Sequence, residues 1–531
     1  MRSVFIFPPP ASPSYIPLGT ASVFSFLSQK APTGTPELFD LNIETWYWLG
    51  KNDRSIENML AFMRGEWGHF YDAAQYEQEV ETWNLTKELM ERLLNDANLY
   101  LKTGERTHGL ERLLDFQRER VMGSDPELIC FSVMYPKQLI FALALSVYIK
   151  RIPELHDVKI VLGGAMLSFV NGRELLSSCL EIDGIVQGEG ELPAWQLTSG
   201  ERFDRIQGML YRDKGTVKLN PKPDTMSLHT IPSPDFHPFH PGRYLNPEPV
   251  LPMLYSRGCR WRKCRFCAHN LSFSGYRTKR VVNLVDEIEA CGAMFGARCF
   301  YFADQYIGIN DLMLIADEIL KRRLTVYFHY MGQPTGDYNR ETFEKLFEAG
   351  CRWISWGVES GSQRLLDLIN KGTNVEGIAR VLTRSHEAGI RNIAMMLFGL
   401  PSSTDGDFNR TVDFLNDLSG SIDVVTASSF NLYRGTGFER QAGLFGIEVT
   451  GSQELLKTAR GTVHGLRLDY REIDGNGLGG PPRGPIEVAE WERKKGWIFE
   501  PSIHTLMCAE HYLLYAVRSA RSGLHKEELV V

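Results

Sequence analysis

The chain has 531 residues, 43% of them apolar and 23% charged, which is enough for about three folded domains. The net charge of −7 and the lack of a basic tail argue against a nucleic-acid partner. Nine unevenly spread cysteines do not form a secreted disulfide framework, prolines interrupt the only N-terminal apolar run, and no stretch approaches the roughly 20 apolar residues of a membrane span. The sequence predicts a soluble, cytoplasmic protein.

Strands and helices alternate over the first 200 residues. Apolar runs predict strands at residues 4–7, 37–42, 128–134, 158–162 and 184–187, and helices at 18–29, 139–152 and 172–179, with a helical insertion over about 51–120. This order is typical of a doubly wound parallel α/β sheet. Residues 1–200 are therefore predicted to form a Rossmann-like domain.

The next segment predicts a connector. Residues 206–220 alternate as a hairpin does, with Asp213-Lys214-Gly215 as its turn. A proline-rich tract from 221 to 252 is typical of an extended linker. We predict a hairpin and linker over 201–250.

A second alternating region follows at 251–420. It predicts strands at 299–303, 325–330, 353–357 and 393–399, and helices at 284–296, 310–322, 340–349, 362–370 and 375–389. Strand-helix repeats of this kind build a parallel barrel with its functional groups at the carboxyl ends of the strands.

The last region, 421–531, is predicted to be a small, mostly helical domain. It contains a glycine-rich segment at 474–482 and an aromatic tail with Trp491, Trp497, His504, His511, Tyr512 and Tyr515. A lid over the substrate and a helical cap that closes the barrel are both compatible with this composition.

The strand ends of the first domain carry a second pattern. Open α/β sheets bind ligands at the carboxyl ends of their strands. The residues found there are Ser132, Met134 and Tyr135, then Gly163 and Gly164, then Gly188, Glu189, Gly190 and Glu191. Glycines allow a large planar ligand to approach the backbone, and they are also ordinary turn residues.

Three cysteines form the strongest chemical signal. Cys259, Cys264 and Cys267 lie within nine residues, and thiolates on one loop suit an iron-sulfur cluster with one iron left open. A zinc site is the alternative, with His269 as its fourth ligand.

The cysteine loop resembles the signature of radical S-adenosylmethionine (SAM) enzymes. Phe266 fills the aromatic position before the last cysteine, although the C-x4-C-x2-C spacing is one residue longer than the usual C-x3-C-x2-C. With the glycine patterns of the first 200 residues, the chain resembles the cobalamin-dependent radical SAM family over about residues 1–410. The resemblance implies a cobalamin-binding Rossmann domain before a partial (β/α)6 barrel.

The resemblance also implies cofactor contacts. Cys259, Cys264 and Cys267 hold a [4Fe-4S] cluster, and Phe266, Asp304, Gln305, Glu359, Ser360, Phe398 and Gly399 lie at the positions that bind SAM or order its neighbours. Ser132, Met134, Tyr135, Gly163, Gly164, Gly188, Glu189, Gly190 and Glu191 contact cobalamin. The motif Asp-x-His-x-x-Gly is absent, so no imidazole ligand to cobalt is predicted.

The cysteine loop is basic, with eight Lys and Arg residues between 257 and 280. These charges balance a negative cluster, or they attract an anionic substrate or a flavodoxin- or ferredoxin-type reductant.

The function predicted from this resemblance is methyl transfer from methylcobalamin to an unactivated carbon of a peptide or natural product, after hydrogen abstraction by the 5′-deoxyadenosyl radical. The alternatives are a non-methylating member that catalyses cyclisation, ring contraction or oxidation, and a cobalamin-binding sensor with a structural cluster. Methylthiotransferases of RNA are disfavoured because residues 1–129 contain no cysteine for a second cluster.

Overall fold

The computed structural model describes residues 1–30, 36–222, 225–273, 275–473 and 508–522. These residues divide into two compact units: the first comprises 1–70, 78–247 and 452–466, and the second comprises 71–77, 248–451 and 467 onward. The boundary at 247 lies near the end of the predicted linker. Among the described residues no helix is both long and apolar enough to cross a bilayer.

The first unit is built on a seven-stranded sheet. Its strands are β1 (Ser3–Phe7), β2 (Glu37–Asp40), β3 (Leu128–Ser132), β4 (Lys159–Gly163), β5 (Gly184–Val186), β6 (Met209–Asp213) and β7 (Thr216–Leu219). The order is β2-β1-β3-β4-β5-β6-β7, with β1 to β5 parallel and β6 and β7 antiparallel. The predicted doubly wound sheet is confirmed, and the predicted hairpin extends it.

Helices surround this sheet. They are α1 (Leu18–Lys30), α2 (Leu41–Asn52), α3 (Arg54–Met63), α4 (Ala73–Thr103), α5 (His108–Met122), α6 (Pro136–Lys150), α7 (Gly172–Ser178) and α8 (Glu191–Thr198). Asp40 and Thr107 cap α2 and α5 through their side-chain oxygens. The inserted segment 51–120 is helical, as predicted. The proline-rich tract forms three short 3₁₀ turns rather than a fully extended linker.

The second unit is built on six parallel strands, as in a partial barrel. These are β8 (Val250–Met253), then, after the short pair β9 (Ser256–Arg257) and β10 (Arg277–Thr278), β11 (Cys299–Phe302), β12 (Tyr327–Gly332), β13 (Cys351–Glu359), β14 (Arg391–Phe398) and β15 (Val424–Ser429). Their order is β15-β14-β13-β12-β11-β8. The sequence predicted the four inner strands; both edge strands, β8 and β15, were missed.

Helices alternate with these strands: α9 (Val281–Phe295), α10 (Ile309–Lys321), α11 (Arg340–Glu348), α12 (Gln363–Leu368), α13 (Val375–Glu387) and α14 (Asp405–Asp417). One face of the sheet packs on them. Phe302 and Phe328 stack at 5.1 Å between ring centroids, and Trp356 meets Phe343 of α11 edge to face.

The C-terminal region differs from the predicted, mostly helical domain. It begins with β16 (Leu432–Tyr433) and α15 (Gly437–Arg440), and continues as two long strands, β17 (Ile447–Thr458) and β18 (Gly461–Glu472), in a sheet of order β16-β18-β17. Helix α16 (Ala509–Ser522) packs Leu513, Leu514 and Val517 against Val250 and Cys299. This packing is that of a cap on the barrel strands. The glycine-rich segment, Trp491, Trp497 and His504 lie outside the described residues.

Candidate active site

The cysteine loop emerges from the barrel through a narrow neck. β9 and β10 pair antiparallel at its base, Arg257 opposite Arg277. Gly258 has φ +86°, and a Cβ there would collide with the carbonyl oxygen of Gly275. The neck therefore requires glycine at position 258, and it holds the loop at the carboxyl end of β8.

Asp304 fixes the start of this loop. Its carboxylate accepts hydrogen bonds from the backbone N–H groups of Tyr255 (3.0 Å) and Ser256 and from the Ser256 hydroxyl (2.6 Å). Burial raises the pKa of Asp304 to about 6, although the bonds from Ser256 and Tyr255 oppose this. Of its two predicted roles, SAM contact or the ordering of a neighbour, the geometry fits the second.

The three cysteines lie together on the loop. The charges of Cys259 and Cys267 act on Cys264, whose pKa is raised to about 12, chiefly by burial and against the effect of Lys371. Burial also raises the pKa of Cys267, while the backbone N–H groups of His269 and Asn270 donate to its sulfur and lower it. Ligation of iron would replace these protons, and the N–H groups would then stabilise the bound thiolate.

A second segment anchors the loop from outside. The indole N–H of Trp261 donates to the carbonyl oxygen of Asn370 at 2.9 Å, and the Trp261 ring occupies the space where a Cβ of Gly372 (φ +74°) would lie. The backbone N–H of Arg265 donates to Ile369 O at 2.9 Å, and its guanidinium donates to Leu368 O at 2.7 Å. The loop and residues 368–372 are thus held together.

That segment carries a charged residue near the cysteines that sequence reasoning missed. Lys371 is buried and pairs with Glu359 at 2.7 Å between Nζ and Oε1. Burial alone would lower the pKa of Lys371, but the charges of Glu359 and Cys264 raise it above its usual value. A permanent positive charge therefore lies beside the cysteines. In the sequence, its only signal is the pair Lys371-Gly372, about ten residues after the Glu359-Ser360 pair at the end of β13.

Glu359 lies at the end of β13 in the left-handed region, at φ +66° and beside a break in register with β14. Non-glycine residues are rare there, and such strain is typical of functional sites. Gly357, two residues earlier, leaves room for the Lys371 ammonium, since a Cβ would contact it. Glu359 was predicted as a cofactor-site residue, and the structure brings it to the cysteines through Lys371.

The other predicted SAM residues divide into two groups. Ser360 is buried, accepts from the N–H of Ser362 at 3.0 Å and bonds Thr411 at 3.2 Å, so it supports the turn after β13. Phe398 packs against Phe408. By contrast, Gln305 has a buried side-chain oxygen without a partner among the described residues, as expected where a ligand donates a hydrogen bond. Phe266 lies between two of the cysteines, and Gly399 (φ +71°) follows β14.

The zinc alternative rests on His269. This residue opens a short 3₁₀ turn after the last cysteine. Within the described ranges, no three histidine, cysteine, aspartate or glutamate side chains, the three cysteines included, gather around a single metal ion, so this geometry does not separate zinc from a cluster.

In the first unit, the predicted cobalamin residues lie on three neighbouring loops. β3, β4 and β5 are adjacent in the sheet, so the segments that follow them meet at one carboxyl edge. The chain runs outward from β1 in both directions, to β2 and to β3, which makes this edge a topological switch point. Met134 and Tyr135 are 38% and 43% exposed there. Apolar side chains at a sheet edge suit a large flat ligand.

Gln138 fixes the loop after β3. Its side-chain oxygen accepts from the N–H groups of Met134 (2.8 Å) and Tyr135 (3.1 Å), and its amide donates to Pro8 O at 2.6 Å. Gln138 is fully buried, so this loop is rigidly held. The loop from Ser132 to Gln138 contains no histidine.

The glycines serve different purposes. A Cβ on Gly164 (φ +100°) would collide with the backbone of Val133, so Gly164 permits close packing of two loops. Gly188 (φ +101°) has open space beside it. Gly163, Gly164 and Gly190 line a small cavity of about 60 Å³. Glu191 is buried in the first turn of α8, and Glu189 precedes it on the loop.

Residues 253–415 match the Radical SAM superfamily and include the cysteine loop, β11 to β14 and Lys371. The second unit is therefore similar to this superfamily over these residues. This match favours an iron-sulfur cluster over zinc at the three cysteines.

Two sequence relatives carry different functional names, one a methyltransferase and the other a cyclase. An uncharacterized methyltransferase of Pyrococcus horikoshii is 25% identical over 325 residues, covering 59% of this chain and 68% of the relative. The anaerobic magnesium-protoporphyrin IX monomethyl ester cyclase of Rubrivivax gelatinosus is 29% identical over 277 residues, covering 49% of each. The chain thus spans between half and about two thirds of the length of these relatives.

Two solved structures share the whole fold. The cobalamin-dependent SAM radical enzyme OxsB, with aqua-cobalamin and SAM bound, has a TM-score of 0.64 at 18% identity over 98% of this chain and 71% of OxsB. The radical SAM methyltransferase TsrM of Kitasatospora setae, with cobalamin and a [4Fe-4S] cluster bound, has a TM-score of 0.56 at 18% identity over 87% of this chain and 83% of TsrM. The chain therefore has the fold of OxsB and TsrM.

Proposed function

We propose that this protein is a cobalamin-dependent radical SAM enzyme that transfers a methyl group to an unactivated carbon of a peptide or natural product. One observation carries the proposal. Three cysteines lie beside a buried Lys371–Glu359 pair at the carboxyl end of a six-stranded radical SAM half-barrel.

The residues fit the cofactors. Three thiols on one loop are the donor set of a [4Fe-4S] cluster with one open iron. The unpartnered oxygen of Gln305 and the charges of Lys371 and Glu359 suit the amino and carboxylate groups of SAM. When bound, cluster and SAM supply a radical that abstracts hydrogen, and cobalamin carries the methyl group.

The chain's own residues position this chemistry. Asp304 and the glycine neck hold the start of the cysteine loop, and Trp261 and Arg265 tie it to residues 368–372. Lys371 offsets the negative charge that a thiolate-bound cluster brings into a buried site. These contacts fix the position of the cysteine loop, and they therefore favour a constant distance between the cluster and the bound substrates.

For cobalamin, the proposed site is the carboxyl edge of β3, β4 and β5. The rigid loop from Ser132 to Gln138 offers no imidazole, so cobalt is expected to have no protein nitrogen ligand. An oxygen-sensitive cluster requires a reducing compartment, and we propose the cytosol, with a flavodoxin- or ferredoxin-type reductant.

The test uses reconstituted protein under anaerobic conditions with SAM deuterated in its methyl group. Methyl transfer predicts 5′-deoxyadenosine, S-adenosylhomocysteine and a product that carries deuterated methyl. SAM cleavage with products that gain no label would refute methylation, and bound cobalamin without any SAM cleavage would instead support a sensor.

A second function is favoured by one observation. The relative with the highest of these identities, 29%, is a cyclase rather than a methyltransferase. A non-methylating reaction such as cyclisation, ring contraction or oxidation therefore stays a candidate. Product mass separates the two, because cyclisation or oxidation adds no methyl group.

A further inference from the structure

The stretch between Cys259 and Cys264 exposes three positive charges. Arg260, Arg262 and Lys263 are all exposed, and none of them forms an ion pair with any described residue. The protein as a whole is acidic, with a net charge of −7. A compact basic patch on an acidic protein concentrates positive potential at one point of the surface.

The remaining cations of the region are mostly used inside the fold. Lys279 is buried and pairs with Glu287 at 2.6 Å, Arg257 is buried, and Arg265 donates to Leu368 O. The eight charges seen in the sequence are therefore not one solvated group. The exposed cations without a described ion pair are Arg260, Arg262 and Lys263, between the first two cysteines, and Arg280, just before α9.

Trp261 anchors the stretch between the first two cysteines to the second unit. Trp261 is the inward anchor, because its indole bonds Asn370 O and packs on Gly372. Arg262 takes a left-handed conformation, at φ +52°, which a four-residue connection between the cysteines accommodates. Lys263 lies over the Trp261 ring with its ammonium 4.7 Å from the centroid. Lys263 is thereby held over an anchored ring, and the Arg260 guanidinium lies beside Gly308.

A hollow of about 610 Å³ adjoins this patch. Its lining includes the cations Arg260 and Lys263, the acidic Asp337, and Tyr306, Gln333 and Thr335. Such a hollow accepts side chains or a cofactor edge from a docked molecule.

We propose that Arg260, Arg262 and Lys263 form the docking surface for an acidic electron-transfer protein of the flavodoxin or ferredoxin type. The inference rests on the proposed function, since it requires a cluster at the cysteines. The donor gives up one electron, the cluster accepts it, and no atom or proton is transferred in this step. Docking between two cluster ligands keeps the electron path short.

An anionic substrate fits this surface less well. Arg262 is not part of the lining of the hollow, and Asp337, which is part of it, would repel an anion held there by Arg260 and Lys263. Exposed charges that are not neutralised act mainly on the association rate of a charged protein, and their effect decreases with salt.

The test compares two reductants on the same protein. The variant R260E/R262E/K263E and the wild-type protein are loaded with cluster and reduced either by an acidic flavodoxin or by dithionite, and cluster bleaching and 5′-deoxyadenosine are followed. The matched control K321E/R323E/K345E changes the same net charge near the ends of α10 and α11. Iron content of each protein confirms that the cluster is retained.

The triple variant is expected to accept electrons from flavodoxin at least roughly tenfold more slowly at low salt and to lose its salt dependence, with dithionite rates within about twofold of wild type. An unchanged flavodoxin rate would overturn the proposal. An equal loss with both reductants would also overturn it and assign the cations to the cluster or SAM. Failure of wild-type protein to cleave SAM after dithionite bleaching would count against the proposed function, while the bleaching rates would still test the docking surface.

Discussion

The two carboxyl edges of this protein differ in what they are made of. In the second unit the edge is built from charged and nucleophilic side chains: three cysteines, the Lys371–Glu359 pair and buried Asp304. In the first unit it is built from glycines, backbone and exposed Met134 and Tyr135. A site for a cluster consists of side chains, so it can be recognised as a sequence motif. A site for a flat macrocycle consists mainly of backbone shape, which leaves a weaker pattern in the sequence.

The largest expected effect separates the two edges directly. Cys264→Ala removes a cluster ligand, so bound iron should fall below about half and SAM cleavage should fall by roughly 10³-fold or more, because the radical step requires the cluster. Bound cobalamin should be unchanged. The buried helical cysteine supplies the control, since Cys291→Ala should keep both iron and activity. If Cys264→Ala also lost bound cobalamin, the two edges would not bind their cofactors independently.

Gly164→Ala makes the reciprocal change in the first unit. The new Cβ would meet the backbone of Val133 at a left-handed position, which should displace the loop after β3 and cost about 2–4 kcal/mol. We expect cobalamin content to fall about tenfold, as 1.4 kcal/mol of lost binding would produce, with iron retained.

The control for that variant is Gly200→Ala in the same unit. Gly200 has φ +81° but nothing within 4 Å of an added Cβ, so it carries the backbone cost without the collision. Equal cobalamin loss in both variants would show that general instability, rather than the edge, is responsible.

Lys371→Met tests the electrostatics of the cysteine site. Removing the ammonium leaves Glu359 as an unpaired buried charge beside the cysteines, so the cluster should become harder to reduce, by on the order of tens of millivolts. Potentiometry followed by electron paramagnetic resonance measures this shift. Arg391→Met breaks a pair with buried Asp423 at the start of β14, at the opposite end of the strands, and should leave the potential unchanged. Equal shifts in both variants would contradict a local effect.

The smallest effect on catalysis is expected from a group in the first unit whose protonation changes stability with pH. Burial raises the pKa of Asp40 to about 6, against the hydrogen bond from Tyr244. Between about pH 4 and pH 6 the folded state then binds more protons than the unfolded state, so this group favours folding at low pH and that stability is lost as pH rises through 6. In Asp40→Asn the difference in unfolding free energy from wild type should change by about 2–3 kcal/mol between pH 4.5 and 7.5. Urea unfolding measures it, and a pH-independent difference would refute the assignment.

Much of the fold was readable from sequence because inner strands are continuous apolar runs. The two barrel strands that were missed are both edges. β8 contains Pro252, which an edge strand tolerates, and β15 ends in polar Ser428 and Ser429. The long strand β17 contains the run Gln453-Glu454-Leu455-Leu456-Lys457, whose residues are typical of helices, and only its place in a three-stranded sheet with β18 makes it a strand.

The candidate site was readable in part for a similar reason. The cysteines are close in sequence, so spacing identifies them. Lys371 is brought to the cysteines by anchors at Trp261 and Arg265, contacts that no local pattern records. Asp304 was predicted at the right place, yet only the structure shows both carboxylate oxygens committed to Tyr255 and Ser256.

The most direct test of the central claim, one cofactor at each carboxyl edge, is an anaerobic ultraviolet-visible spectrum with iron, sulfide and cobalamin assays on protein made in a cobalamin-supplied host. The account predicts about four irons and one cobalamin per chain, and a cob(II)alamin paramagnetic resonance spectrum without nitrogen splitting from an axial protein ligand. Iron without cobalamin would contradict the role assigned to the first unit and remove the basis for methyl transfer.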